Sequence, residues 1–459
     1  MRSRVLLLSI LLAACDAAVE PTPSGPSGTG SGAKSQVTSS PRAPASSVAP
    51  QPKPVVSVSA PTPVTPQPVV KKTPPANVTE LAASTNHLGL DVYKQARKEP
   101  GNLAMSPVSI TTALAMTYGG AAGSTADEMK KTLYFQGSQG DVMKGMGDLA
   151  GWVESPGRPI TIRIANQLFG EKTFGFEPAY LDAMKASYGA PLEPLDFKND
   201  SAGALSRING WVEEKTEKRI QNLLEPPAIN SGTRLVLVNA IYFLGKWSVP
   251  FRKEATNDQD FSVTKSDKKR VPTMHQTGGF DYAEVGDTSV LRMPFGDNTV
   301  AMYIFLPKSV DGLAALETSL DPAKLDELVK KVKREEVVIS LPKFEVAPEK
   351  AVSLAAILKK LGMTSAFDPK LADFSKMADP KQAEGGLSIT DVFHKAFVKV
   401  DEAGTEAAAA TAVVAAPAGA VATSDIKQFA ADHPFLFVLR DDTTGVVLFM
   451  GRVMDPSVH

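Results

Sequence analysis

Along residues 79–99 the apolar side chains Leu81, Leu88, Leu90, Val92 and Tyr93 recur at a spacing that predicts an amphipathic helix. Ser106-Pro107 supplies an N-cap followed by proline at the first helical position, opening a second helix through Met116. Ser124 caps a third through Leu133, and helices are also predicted over 178–187, 201–218, 322–332 and 353–361. Residues 160–169 alternate as a strand does. Residues 234–244, containing LVLVNAIYFL, form a β-branched and aromatic run long enough for a buried central strand. Further strands are predicted over 289–295, 299–306, 335–345, 391–401, 434–440 and 445–453. Helices crowd the first half and strands the second, so the pattern predicts an α+β fold rather than an alternating parallel one.

The periodic pattern does not begin at the first residue. Arg2 and Arg4 precede a ten-residue apolar run, 5–14, too short to span a bilayer but suited to an export signal. The run ends in Leu12-Ala13-Ala14-Cys15, which resembles the lipobox of bacterial lipoproteins, where the cysteine is acylated and becomes the mature N-terminus. Residues 16–76 then hold 14 prolines, no aromatic residue and many Ser, Thr and Gly. Such a segment buries too little apolar surface to offset its ordering entropy and reads as a tether. The expected organisation is a signal peptide over 1–15, a tether over 16–76 and one large domain over 77–459.

Composition narrows the chemistry. Lys+Arg 49 against Asp+Glu 50 gives a net charge of −1, which removes the electrostatic motive for binding nucleic acid. The lone cysteine, Cys15, rules out an intrachain disulfide and cysteine-rich metal sites. Five histidines (His87, His275, His394, His433 and His459) leave little for a metal or a catalytic triad, and no cofactor is expected. No G-x-S-x-G elbow, H-E-x-x-H pair or P-loop occurs, so an envelope hydrolase is disfavoured. The basic cluster 265–270 (KSDKKR) reads as a solvated turn in preference to a polyanion site.

One stretch fits neither core nor turn. Residues 407–424, AAAATAVVAAPAGAVATS, carry no charge and no aromatic ring over eighteen positions, and Val413, Val414, Pro417 and Gly419 argue against a continuous helix. Together with its flank, Val400-Asp401-Glu402-Ala403-Gly404-Thr405-Glu406-Ala407-Ala408-Ala409-Ala410-Thr411 resembles the hinge of the serpin protease inhibitors. Similar stretches in matching order are 102–110 (NLAMSPVSI), 237–247 (LVNAIYFLGKW), 394–396 (HKA), 433–437 (HPFLF) and 449–453 (FMGRV).

The resemblance implies a fold of three β-sheets with eight or nine helices and an exposed reactive-centre loop. It implies no enzyme. A serine protease cleaves the loop, which inserts into the central sheet and traps the protease as an acyl-enzyme. The hinge then comprises Glu402, Gly404, Thr405, Glu406, Ala407, Ala408, Ala409, Ala410 and Thr411. Ser106, Ser109, Asn239 and His394 match the shutter beneath the opening sheet, and Trp247 matches the breach where the loop enters. The reactive bond falls at Ala418–Gly419, with Ala416 and Ala420 as alternatives. Small apolar residues before it suit an elastase-like or subtilisin-like target, and the absence of Lys or Arg between Ala407 and Ile426 disfavours a trypsin-like one. Ala403 departs from the larger side chains common there, but it precedes the inserting stretch. The competing reading is a non-inhibitory serpin, a binding or chaperone module. Such relatives usually carry bulky or charged hinge residues. The expected molecule is a monomer, exported and held at a bacterial cell envelope only through a lipid on Cys15, on its extracellular or periplasmic face.

Overall fold

The computed structural model describes residues 73–155, 158, 160–189, 192–379, 386–405 and 426–458. Nine α-helices and sixteen strands lie among them, with helices concentrated before residue 216 and strands after it. The first helix, Ala76–Ala96, matches its expected position closely. The second, Pro107–Tyr118, is capped by Ser106, whose hydroxyl accepts from the Ser109 N–H, and has proline in its first turn. Every residue of that helix is buried, so it forms the centre of the molecule rather than an amphipathic surface.

Two hydrogen-bonded networks hold the strands. The central sheet runs Phe344–Val346, Asp391–Val400, Leu235–Lys246, Ile160–Glu171, Glu193–Leu195. The other is nine-stranded. Two of the three sheets implied by the resemblance are joined in it through one long strand, Lys268–Val285, whose first part pairs with Asn257–Ser262 and Lys333–Pro342 and whose end pairs with Thr288–Phe295.

Most elements expected from the pattern are present, with differences that have physical causes. The helix expected over 201–218 stops at Lys215, because Glu217 and Lys218 adopt positive φ, which no α-helix accommodates. The strand expected over 335–345 is two strands, Lys333–Pro342 and Phe344–Val346, in different sheets. Helix Gln139–Val153 was not expected. Its four glycines weaken the helical signal, yet a Cβ on Gly147 would strike the Ser187 carbonyl oxygen of the neighbouring helix. In 265–270, Lys268 to Arg270 belong to a strand. Lys265, Lys268, Lys269 and Arg270 each face a carboxylate, so the polyanion reading finds no unpaired cation there.

The main core lies between the two networks. A second cluster covers the opposite face of the central sheet, where Ile208, Trp211 and Val212 of helix Ser201–Lys215 pack on Phe169, Val236 and Val238. The Phe169 and Trp211 rings meet edge to face at 5.8 Å. Both faces of the central sheet are therefore covered over its lower half.

Candidate functional site

The site is a seam in the central sheet. Asp391–Val400 runs parallel to Leu235–Lys246, with Asp391 opposite Val236 through to Phe397 opposite Tyr242. Parallel neighbours in one sheet cannot be joined by a tight turn and need a long crossover, and here the connection is residues 247–390. Above Phe397 the two strands part. The chain turns after Val400, and Gly404–Thr405 returns between them, antiparallel to Leu235–Lys246, with Gly404 opposite Lys246 and Thr405 opposite Gly245. Only glycine fits the return: Gly404 has φ +144, and a Cβ there would run into the Gly245 carbonyl oxygen. Thr405 is fully buried, and its Oγ1 accepts from the Gly245 N–H at 2.9 Å. Thr405 thus occupies the first position of an additional strand.

The turn is tightly held. Trp247 donates from Nε1 to the Asp401 carbonyl at 3.0 Å and from its backbone N–H to the Ala403 carbonyl at 2.9 Å, while its ring stacks on Phe295 at 4.3 Å. Glu402 is buried, pairs with Lys343 at 3.1 Å and accepts from Thr256 Oγ1 at 2.8 Å. Burial alone would raise its pKa, but hydrogen bonds from its own backbone N–H, Thr256 and Lys343 hold the carboxyl below its ordinary value.

Midway down the seam, Asn239 and His394 face each other across it in register. His394 Nε2 accepts from the Ser106 N–H at 3.1 Å, which places the ring proton on Nδ1, where it bonds Asn239 Oδ1. Burial drives this imidazole down to about 3, so it is neutral at physiological pH. Asn239 Nδ2 donates to Ser109 Oγ at 2.6 Å, and Ser106 Oγ donates to the Leu448 carbonyl at 2.6 Å. The structure therefore brings Ser106, Ser109, Asn239 and His394 into one network whose central bond spans the seam.

Four contributors were not anticipated. Asn166 accepts from Ser109 Oγ and Asn239 and donates to the Ser109 carbonyl, and its only sequence signal is an amide within an otherwise half-apolar strand. Lys343 and Thr256 reach Glu402, and Phe295 stacks on Trp247, from distant segments, and none of the three carries a local signal. Glu406 to Thr411, the bond Ala418–Gly419, its alternatives Ala416 and Ala420, and Cys15 lie outside the described residues. Among the described residues no group of three or more His, Cys, Asp or Glu side chains is arranged for a metal, and no helix is long and apolar enough to cross a membrane.

A family profile described as Serpin (serine protease inhibitor) matches residues 83–456. The chain is a serpin. By family it stands among protease inhibitors and not among enzymes. Leukocyte elastase inhibitor A of Mus musculus is 37% identical over 391 residues, covering 82% of this chain and 100% of that protein. Serpin B6 of Pongo abelii is 38% identical over 383 residues, covering 82% and 99%. Among solved structures, this serpin resembles Serpin48 of the insect Tenebrio molitor (TM-score 0.72, 33% identity, 82% of this chain and 98% of that one). It also resembles uncleaved ovalbumin (TM-score 0.73, 30% identity, 82% and 100%).

Proposed function

We propose that this serpin traps a serine protease by loop cleavage and insertion, and that the seated Thr405 is the observation that carries the reading. Continuing its register down the seam puts Ala407, Ala409 and Thr411 opposite Phe243, Ile241 and Asn239. Phe243 and Ile241 belong to the main core, so the facing residues must be small and uncharged. Glu406 falls opposite Leu244, which is only partly buried. The hinge sequence meets both requirements.

Chemically, the protease serine attacks the Ala418 carbonyl carbon, and the bond to the Gly419 nitrogen breaks as that amine takes the proton carried by the protease histidine. An ester to Ala418 remains. Insertion of the freed loop carries the attached protease to the opposite pole and pulls the ester out of its oxyanion hole, so deacylation by water stalls. About a dozen new strand hydrogen bonds at roughly 1 kcal/mol each supply on the order of 10 kcal/mol to drive the motion. The small residues before Ala418 suit an elastase-like or subtilisin-like protease, and the likeness to a protein named leukocyte elastase inhibitor A agrees with that class. Export and acylation of Cys15, with 16–76 as spacer, would hold the domain at a cell envelope.

The test is incubation of the purified domain with an elastase-type protease. An SDS-resistant covalent complex is expected, and mass spectrometry of the released peptide is expected to begin at Gly419. Ala407→Arg, which on this register meets Phe243 of the core only on insertion, is expected to turn the inhibitor into a substrate while preserving the native fold. Clean cleavage of the unaltered loop with no complex would instead support the non-inhibitory reading. A mature N-terminus without acyl chains would remove the anchor.

A further inference from the structure

The trapping scheme makes no use of His433, although its surroundings are specific. His433 is buried in the turn between strands Lys427–Ala430 and Phe435–Asp441. Its Nδ1 lies 2.7 Å from Asp432 Oδ1 and its Nε2 lies 2.6 Å from the Pro307 carbonyl oxygen. A carboxylate and a carbonyl both accept and neither donates. Both bonds exist together only when both ring nitrogens carry protons, that is, when the ring is the imidazolium. Burial opposes that charge, but the bonds to Asp432 and Pro307 and the Asp432 charge outweigh it, and the net shift is upward.

Asp432 is the charged group that faces the ring. On the neighbouring strand Asn257–Ser262, whose Ser262 N–H donates to the Asp432 carbonyl at 2.7 Å, Asp260 is engaged by Arg270 at 3.5 Å and Lys268 at 3.9 Å. On strand Lys268–Val285, His275 Nδ1 bonds Ser340 Oγ at 2.9 Å. Beyond Pro307, Lys308 pairs with Glu284 at 3.6 Å, and Lys265 pairs with Asp311 at 2.6 Å.

The turn matters because of what precedes it. Lys427–Ala430 is the first described strand after the reactive loop. It is four residues long, lies at the edge of the nine-stranded network and pairs in parallel with Lys333–Pro342. In an uncleaved chain, inserting the loop as far as Ala418 would carry that residue roughly 45 Å down the seam. Residues 419–426 can span at most about 28 Å. Lys333–Pro342 leads directly into Phe344–Val346, which pairs with Val398–Val400 where the seam opens, so Lys427–Ala430 is anchored beyond that end. Full insertion without cleavage therefore requires it to leave its sheet, whereas cleavage at Ala418 removes the constraint.

We propose that charged His433 is a positioning residue that clamps the far anchor of the reactive loop, so that the uncleaved inhibitor inactivates itself by loop insertion faster as pH rises. Deprotonation leaves one N–H for two acceptors, and the turn loses its tie either to strand Val300–Pro307 or to Asp432. A group whose pKa is raised by folding stabilises fully at low pH and loses that contribution as pH rises through the folded value. The clamp therefore weakens on the alkaline side. The proposal rests on the insertion reading above, and its test separates the two.

Uncleaved protein is aged at pH values from about 6 to about 9, and the rate at which trapping is lost and heat resistance gained is followed. The expected result is a rise of about tenfold along a one-proton curve whose midpoint lies above the ordinary histidine value near 6.5. His433→Leu is expected to show the fast rate at every pH. Asp432→Asn is expected to shift the midpoint downward, and it carries the test should His433→Leu fail to fold. A flat profile in the unaltered protein, no conversion at any pH, or an unchanged profile in the variants overturns the proposal. Loop-nicked protein run alongside identifies the level of failure. If nicking confers no heat resistance, insertion itself is wrong. If nicking stabilises and the profile is flat, the clamp alone is wrong.

Discussion

Glu402 shows how much of the loop's starting position rests on single side chains. Its carboxylate is 8% exposed and its partner Lys343 39% exposed, so the pair is worth less than a fully buried one. Glu402→Gln is expected to cost about 1 to 2 kcal/mol of native stability and to quicken uncleaved loop insertion, read as a lower heat-inactivation midpoint with the cleaved form unaffected. His394 makes an equally local prediction about pH. Its folded pKa, about 3, lies below the unfolded value near 6.5, so the contribution is intact above pH 6.5 and is lost progressively as pH falls toward 3. Between about pH 6.5 and pH 4.5 the loss should approach 2 to 3 kcal/mol. Protonating Nε2 also removes the acceptor for the Ser106 N–H. Other groups titrate in that range, so the measurement is the difference between the unaltered protein and His394→Gln in the acid shift of the heat-inactivation midpoint. An identical shift in both would remove His394 from the account. That Ser106, Ser109, Asn239 and His394 belong together was legible because family resemblance marked them, and the structure joins them in one hydrogen-bond network. Asn166 was not, since an amide in a strand acquires its role only when another element places hydroxyls beside it.

Among elements, the central strand Leu235–Lys246 was the easiest to read, because a ten-residue aliphatic and aromatic run broken only by Asn239 admits few alternatives to a buried strand. Helix Gln139–Val153 was hidden by glycines that serve close packing, and Lys268–Val285 by its polar residues, two glycines and a proline. Composition obscures an element wherever tertiary contacts, rather than propensity, stabilise it. The seam turns side-chain alternation into a prediction about the loop. Ala409 would land opposite fully buried Ile241, Glu406 opposite partly buried Leu244. Ala409→Asp is expected to abolish stable complex formation and raise the fraction of loop cleaved as ordinary substrate at least tenfold, because an unpaired carboxylate would enter the core. Glu406→Lys is expected to retain trapping. If the two variants behave alike, the register is wrong.

At the scale of the whole molecule, the proposed insertion implies that the closed seam leaves strand pairings unmade that the same chain could form. Roughly 10 kcal/mol of unrealised hydrogen bonding is comparable to the entire stability of an ordinary domain. Kinetics, not equilibrium, must then preserve the uncleaved form. Nicking the loop of purified protein is expected to raise the unfolding midpoint by roughly 20 °C or more. Calorimetry showing no rise would mean that nothing is stored. The sequence alone determined the α+β class, most helices and strands, the hinge composition and, through resemblance, the family, because these depend on periodicity, side-chain size and local order along the chain. The tertiary structure decided that Thr405 is already seated, that Lys343 and Thr256 hold Glu402, that Asn166 completes the polar network, and that His433 lies between two acceptors. Apart from Asp432 beside His433, those facts are contacts between segments tens to hundreds of residues apart, and no local pattern encodes a distance across the fold.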